Sequence, residues 1–224
     1  MGKSRKIFVV DDHPIMRLGY KYLLNREDQL EVCGEASSVA EALSGIATHR
    51  PHLVIADISL DGASGIELVK QLHSENPEIH VVVVSMHDEA LFAERALRAG
   101  ARAYLMKNEV ESRLVHAIQT VLDGGFYLSQ RMNSQILSGF ARGDSLTATS
   151  SLGRLTDREL QVFEMQGRGK STREIGDAMH ISPKTVETYR RRIKQKLSLD
   201  STAALTHRAV EWLQSEKRGG ESGN

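Results

Sequence analysis

Short runs of β-branched and other apolar residues recur along the first 124 positions, at Ile7–Val10, Leu30–Cys33, Leu53–Ala56, Val81–Val84 and Ala101–Met106. Between them lie longer segments whose apolar residues return at helical spacing: Ile15-Leu18-Tyr22, Val39-Ala42-Leu43-Ile46, Ile66-Val69-Leu72, Leu91-Ala96-Leu97 and Leu114-Ile118-Val121. Strands and helices alternating at a repeat of ~20–25 residues predict a doubly wound, five-stranded parallel sheet. Phe8-Val9-Val10 and Val81-Val82-Val83-Val84 are apolar throughout, as expected of strands covered by helices on both faces.

The pattern changes after Gly124-Gly125. Residues 125–152 read as a linker: a weakly amphipathic helix over 129–140, then Gly143–Gly153, rich in small and hydroxylated residues. From Leu155 onward no strand signal appears, and four short helices are expected at about 157–167, 171–179, 183–198 and 201–214. Thr156 with Glu159 three residues on forms a capping box, Ser171 is a second candidate N-cap, and Ser182-Pro183 gives an N-cap followed by proline at the first helical position. The boundaries are therefore 1–124 for an α/β domain, 153–214 for an all-α domain, and 215–224 for a tail expected to be disordered.

Composition excludes collagen-like, disulfide-scaffold and disordered classes: 40% of residues are hydrophobic and 26% charged. No apolar run approaches the ~20 residues that span a bilayer, and the run after the basic N-terminus is too short for a signal peptide. Cys33 is the single cysteine, so no intrachain disulfide can form, and a cytoplasmic location is expected. The formal net charge of zero hides an asymmetry. Residues 1–124 carry 13 Lys and Arg against 18 Asp and Glu, a net −5, whereas 155–224 carry 13 against 10, a net +3. Within 184–197 six cations face Glu187 alone. Two domains with different partners are implied.

Open α/β sheets bind ligands at the carboxyl ends of their strands. There the sequence places Asp11-Asp12 after the first strand, Asp57 after the third, Ser85 at the end of the fourth and Lys107 after the fifth. Three carboxylates at one edge repel one another unless a cation sits among them, and hard oxygen ligands suit Mg²⁺. A carboxylate beside Mg²⁺ and a lysine is placed to attack phosphorus, with both cations neutralising the phosphoryl oxygens. The Ser85 hydroxyl could hydrogen-bond one of those oxygens.

On the third helix of the second domain, Val186, Ile193 and Leu197 share one face, with Tyr189 and Arg190 flanking it. Lys184, Thr188, Arg191 and Gln195 lie opposite, and Glu187 sits between. A helix packed along one stripe with hydrogen-bonding side chains along the other suits the major groove. With the helix before it and the turn His180-Ile181-Ser182 it forms a helix-turn-helix.

Asp11-Asp12, Asp57, Ser85 and Lys107, with Tyr104 three residues before the lysine, resemble the receiver domain of two-component response regulators. The segments Val9–Pro14 and Gly100–Lys107 carry that likeness. Leu155–Val162, Ser171–Gly176 and Ile181–Leu197 resemble the LuxR-type DNA-binding domain, so the whole is similar to a NarL/FixJ-type regulator. The resemblance implies a flavodoxin-like receiver fold. It implies that a sensor histidine kinase phosphorylates Asp57, with Asp11, Asp12, Asp57 and the Ser59 carbonyl holding Mg²⁺. Ser85 and Tyr104 form the implied switch pair, and Lys107 contacts the phosphoryl group. The candidate contacts to a double-stranded operator are Lys184, Thr185, Glu187, Thr188, Arg190, Arg191 and Lys194. Arg191 and Thr188 are expected to read bases, and Lys184, Arg190 and Lys194 to meet phosphates. A homodimer is expected on phosphorylation or on DNA, with RNA polymerase as a further contact.

Competing signals are weaker. Gly167–Ser171 ends like a phosphate loop, but Glu164 stands where the earlier glycine is needed. His49 and His52 lack further ligands for zinc. A phosphohydrolase acting through Asp57 would need a second Asp at position 59, which is Ser59. No enzyme activity is expected beyond the receiver's own phosphorylation and dephosphorylation.

Overall fold

The computed structural model of the 224-residue chain describes residues 4–60, 63–87, 89–130, 132–134 and 151–221. It divides into two units, Met1–Met132 and Asn133–Asn224.

In the first unit the order is β1 (Arg5–Val10), α1 (Pro14–Leu24), β2 (Leu30–Ala36), α2 (Val39–His49), β3 (Leu53–Ala56), β4 (Ser59–Leu60), β5 (Ala63–Ser64), α3 (Gly65–Glu75), β6 (His80–Ser85), α4 (Glu89–Ala99), β7 (Ala103–Met106) and α5 (Val110–Leu122). The strands β2-β1-β3-β6-β7 form one parallel sheet in that order, the doubly wound architecture that the alternating pattern predicts. Every residue of β3 is buried, as are β1 from Ile7 to Val10 and β6 from Val81 to Ser85. Register sets the site: Val10 pairs with Ala56, Ala56 with Val83, and Ser85 with Met106. The residues that end these strands therefore reach one edge together. Phe8 fills a slot under α2, where a Cβ on Gly34 or Gly45 would lie 2.5 Å from its ring.

Several elements differ from expectation. β2 runs on to Ala36, because Gly34 and Glu35 on this edge strand break the apolar signal but not the ladder. A register shift between Ile7 and Phe8 passes over Cys33, whose Sγ donates to the Ile7 carbonyl at 3.3 Å. The fifth strand starts at Ala103, since Gly100 (φ +112°) and the turn bonds of Ala101 end α4 first. The hairpin β4–β5 is too short to leave a periodic trace. On α1 the series Ile15-Leu18-Tyr22 faces outward, and Tyr20 and Leu24 face the core; spacing gives a helical period but not its phase.

Gln130 and residues 132–134 are helical. The rest of the helix expected over 129–140, apart from these and Ser129, and the linker up to residue 150 fall outside the described residues.

The second unit opens with a 3₁₀ turn at Ser151–Arg154, followed by α6 (Asp157–Gly167), α7 (Thr172–Met179), α8 (Pro183–Leu197) and α9 (Thr202–Glu221). Thr156 and Ser171 both cap through reciprocal boxes, with Glu159 and Glu174, and the Ser182 side chain accepts from the Thr185 amide. Phe163, Ile175, Met179, Val186, Ile193 and Leu205 are core residues of these helices. The turn between α7 and α8 is tight: a Cβ on Gly176 would stand 2.8 Å from the Ile181 carbonyl oxygen. The last helix extends past the expected end at 214, and the tail expected to be disordered over 215–224 is helical to Glu221. Apolar spacing stops at Leu213, but the Glu216-Lys217-Arg218 stretch keeps a strong helix propensity.

Candidate functional site

At the carboxyl edge of the sheet, Asp11 and Asp57 are almost wholly buried, at 1% and 3% exposure. Lys107 reaches between them, with Nζ 2.8 Å from Asp57 Oδ2 and 2.8 Å from Asp11 Oδ2. One cation thus serves two buried carboxylates. The charge left over shows in Asp57, whose carboxyl is pushed above the usual range, first by burial and then by Asp11, against the opposing pull of Lys107. Burial works against the Lys107 ammonium as well, but Asp57 and Asp11 outweigh it and hold the ammonium charged above its ordinary range.

Backbone and second-layer groups fix these carboxylates. The Ser59 amide donates to Asp57 Oδ1 at 3.2 Å. Arg17 donates to the Asp11 carbonyl at 2.7 Å, and the Tyr20 hydroxyl lies 3.4 Å from Asp11 Oδ2. Burial and the two carboxylates raise the Tyr20 phenol far above its normal value, so it is a permanent donor. Gly65, the first residue of α3, lies against the Asp57 backbone: a Cβ there would fall 1.8 Å from the Asp57 carbonyl oxygen.

Asp12 lies at the rim with its side chain 16% exposed, and His13 beside it is 62% exposed. The His13 imidazole meets Asp12 Oδ1 at 2.6 Å and Asp11 Oδ1 at 3.2 Å. Asp11, Asp12, His13 and Asp57 each offer one ligand atom within 4.8 Å of the others. Three carboxylates beside the buried Lys107 ammonium form a hard, anionic oxygen set that fits a divalent cation. His13 was not singled out by sequence, although its place directly after the paired aspartates marked it.

The remaining expected residues lie beside this cluster. Ser85 is fully buried and its Oγ accepts from the His87 amide at 3.2 Å. Tyr104 is also buried, 2% exposed, and its hydroxyl donates to the His87 carbonyl at 2.9 Å. The Ser59 hydroxyl meets His87 Nε2 at 2.7 Å. His87 gave no sequence signal.

In the second unit Ser182 caps α8 and aims its outer face to solvent. Lys184, Glu187 and Arg191 are exposed, and Thr185, Thr188 and Lys194 are partly so. Thr188 Oγ1 donates to the Lys184 carbonyl at 3.1 Å. Arg190 does not join them. It is 8% exposed, donates to Glu187 Oε1 at 2.8 Å, and hydrogen-bonds Thr172 Oγ1 on α7. The phosphate contact expected of Arg190 is corrected: this guanidinium braces the helix-turn-helix, as its position beside the Val186–Ile193 stripe foreshadowed. Glu187 also accepts from Thr172, at 3.0 Å. Lys196 is taken up by the buried Glu159 of α6, 2.6 Å away.

Comparison with known families and proteins gives the same division. The response regulator receiver domain matches residues 7–119, and the bacterial regulatory proteins of the luxR family match residues 153–209. The chain is 30% identical to the oxygen regulatory protein NreC of Staphylococcus carnosus (strain TM300), over 92% of this chain and 97% of that protein. It is 35% identical to the response regulator GacA of Pseudomonas protegens, over 92% of this chain and 95% of the other. Among solved structures, an RcsB response regulator of Salmonella typhimurium superposes with a TM-score of 0.65 at 20% identity, covering 94% of this chain and 98% of that one.

Proposed function

The chain belongs to the two-component response regulators that join a receiver domain to a LuxR-type DNA-binding domain, and we propose that Asp57 is the phosphoacceptor through which a sensor histidine kinase controls DNA binding. The observation that carries this reading is the buried Lys107 ammonium 2.8 Å from both Asp57 and Asp11. It opposes the burial that pushes the Asp57 carboxyl up, and so favours the ionised carboxylate that serves as a nucleophile.

In this reading an Asp57 oxygen bonds to phosphorus as the donor's bond to phosphorus breaks. Lys107 stays within reach of the transferred oxygens, and the Ser59 amide orients the carboxylate that attacks. The Ser85 hydroxyl accepts from the His87 amide, which leaves its own proton to donate to a phosphoryl oxygen. Asp11, Asp12, Asp57 and the Ser59 carbonyl would hold Mg²⁺, which when bound neutralises charge on the phosphoryl oxygens. Neither matched family is an enzyme family, and the only chemistry proposed is the receiver's own phosphorylation and its reversal.

Arg191 and Thr188 are the proposed base readers on α8, with Lys184 and Lys194 toward phosphates. Thr185 and Glu187 border that face. A second copy of the chain would supply the second reading helix for paired half-sites. The cytoplasm is the proposed location; no described helix is long and apolar enough to cross a membrane. Intact-mass measurement after incubation with acetyl phosphate and Mg²⁺ tests the acceptor. The wild-type chain should gain one phosphoryl group, and Asp57→Asn or EDTA should abolish the gain. Modification that persists in Asp57→Asn would reject the assignment.

A further inference from the structure

Hydrogen bonds at the amide, the carbonyl and the ring of His87 reach three different elements. Its amide donates to Ser85 Oγ at the end of β6, its carbonyl accepts from the Tyr104 hydroxyl on β7, and its Nε2 meets the Ser59 hydroxyl on β4 at 2.7 Å. The ring is held in place: the residue is 5% exposed and its imidazole stacks on Phe92 of α4, with centroids 4.8 Å apart and planes tilted by 36°. Ser59 in turn donates its amide to Asp57 Oδ1 at 3.2 Å. A continuous line of contacts therefore runs from the Asp57 carboxylate through Ser59 and His87 to Tyr104.

We infer that His87 is a positioning residue that couples the state of Asp57 to the packing of α4 and β7. This rests on the reading of Asp57 as the phosphoacceptor. The paired strands β3 and β6 lie behind the site in parallel register. In front, the segment after β6 is tied to the acceptor hairpin by the imidazole–Ser59 bond. A charge added at Asp57 displaces Ser59, whose amide is bound to that carboxylate. The imidazole passes the displacement to a residue whose carbonyl anchors Tyr104. Without the ring bond, the segment after β6 loses its direct link to Ser59. The magnitude follows from one buried hydrogen bond, whose net worth corresponds to a factor of about five in an equilibrium.

The test is hydrogen exchange of the full chain, followed by mass spectrometry over α4 and β7, with and without acetyl phosphate and Mg²⁺. Intact mass measured first gives the modified fraction. The wild-type chain should change its exchange rates in both elements on modification. His87→Phe keeps the stacking on Phe92 and the backbone bonds but loses the bond to Ser59. At an equal modified fraction its change should be about five-fold smaller. Ser59→Ala, which retains the backbone carbonyl, should behave alike, and combining the two should add nothing. His87→Gln, which restores a polar group toward Ser59, should recover the response. A His87→Phe chain responding as fully as wild type would overturn the coupling role, as would a His87→Gln chain as defective as His87→Phe. A wild-type chain that gains no phosphoryl mass would remove the reading of Asp57, and this inference with it. A chain that gains the mass but shows no exchange change in α4 and β7 would sink the inference alone.

Discussion

Asp57→Asn should make the receiver unit more stable at neutral pH in the absence of Mg²⁺, although it removes the proposed phosphoacceptor. The structure allows the terms to be weighed. Asp11 Oδ2 and Asp57 Oδ2 each lie 2.8 Å from Lys107 Nζ, so they are no more than twice that distance apart. At an effective dielectric of ~20 their repulsion is at least about 3 kcal/mol, and each attraction to Lys107 is about 6 kcal/mol. Neutralising Asp57 therefore loses more Coulomb attraction than repulsion. Against this stands the desolvation of a carboxylate that is 3% exposed, several kcal/mol, which Asn does not incur. The raised carboxyl of Asp57 says that burial and Asp11 together outweigh Lys107. The expected gain is about 1–3 kcal/mol. Its pH dependence has a definite sign. A folded-state pKa above the unfolded value means that Asp57 favours folding fully only below about 3.8, and that this contribution is lost as pH rises through the folded value. The advantage of Asn should thus be largest at about pH 7–8 and should vanish toward about pH 4. Differential scanning calorimetry of the full chain in EDTA reads it as a higher receiver transition, by roughly 3–10 °C. Adding Mg²⁺ should raise the wild type more than the variant. A wild type more stable than Asp57→Asn at pH 7.5 in EDTA would refute the reasoning.

The other predictions concern packing and the second unit. Gly65→Ala should shift the Asp57 backbone, destabilise the receiver by about 1–3 kcal/mol, and slow phosphoryl uptake from acetyl phosphate, both measurable on one preparation. Arg190→Ala should cost about 1–3 kcal/mol in the urea unfolding of the second unit followed by Trp212 fluorescence, because it leaves Glu187 and Thr172 without their shared donor. Arg191→Ala should change that stability by less than about 0.5 kcal/mol, yet lose about 1–3 kcal/mol of discrimination between specific and random DNA. Lys194→Ala should weaken both DNAs alike and lower the salt slope by about 1.

The strand-end residues were legible because apolar runs mark where each buried strand stops, and parallel register then brings those ends to one edge. Asp11, Asp57, Ser85 and Lys107 could be named on that ground. Their contacts could not, since the reach of Lys107 to two carboxylates depends on how α5 follows β7. His87 escaped notice for a different reason: it follows the end of β6 in an irregular segment, where no periodicity assigns a direction to a side chain. Ser59 was named only for its backbone carbonyl, and the bond of its hydroxyl to His87 left no trace in the sequence. On α1 the helical spacing was legible but the buried face was not, because the helix carries an outward apolar series beside the buried Tyr20 and Leu24. On α8 the wheel had already placed Arg190 beside the packed stripe, and its charge alone suggested DNA. Glu187 within hydrogen-bonding reach, three residues before it, was the available sign of an internal pair.

The claim that phosphorylation of Asp57 governs DNA binding is tested most directly by fluorescence anisotropy on a duplex enriched from random sequence. The full chain is titrated at one fixed salt concentration, with and without acetyl phosphate and Mg²⁺, beside Asp57→Asn. The wild type should bind more tightly when modified, and Asp57→Asn should show no response to the phosphodonor. Equal affinity of the modified and unmodified wild type, or an equal gain in Asp57→Asn, would contradict it.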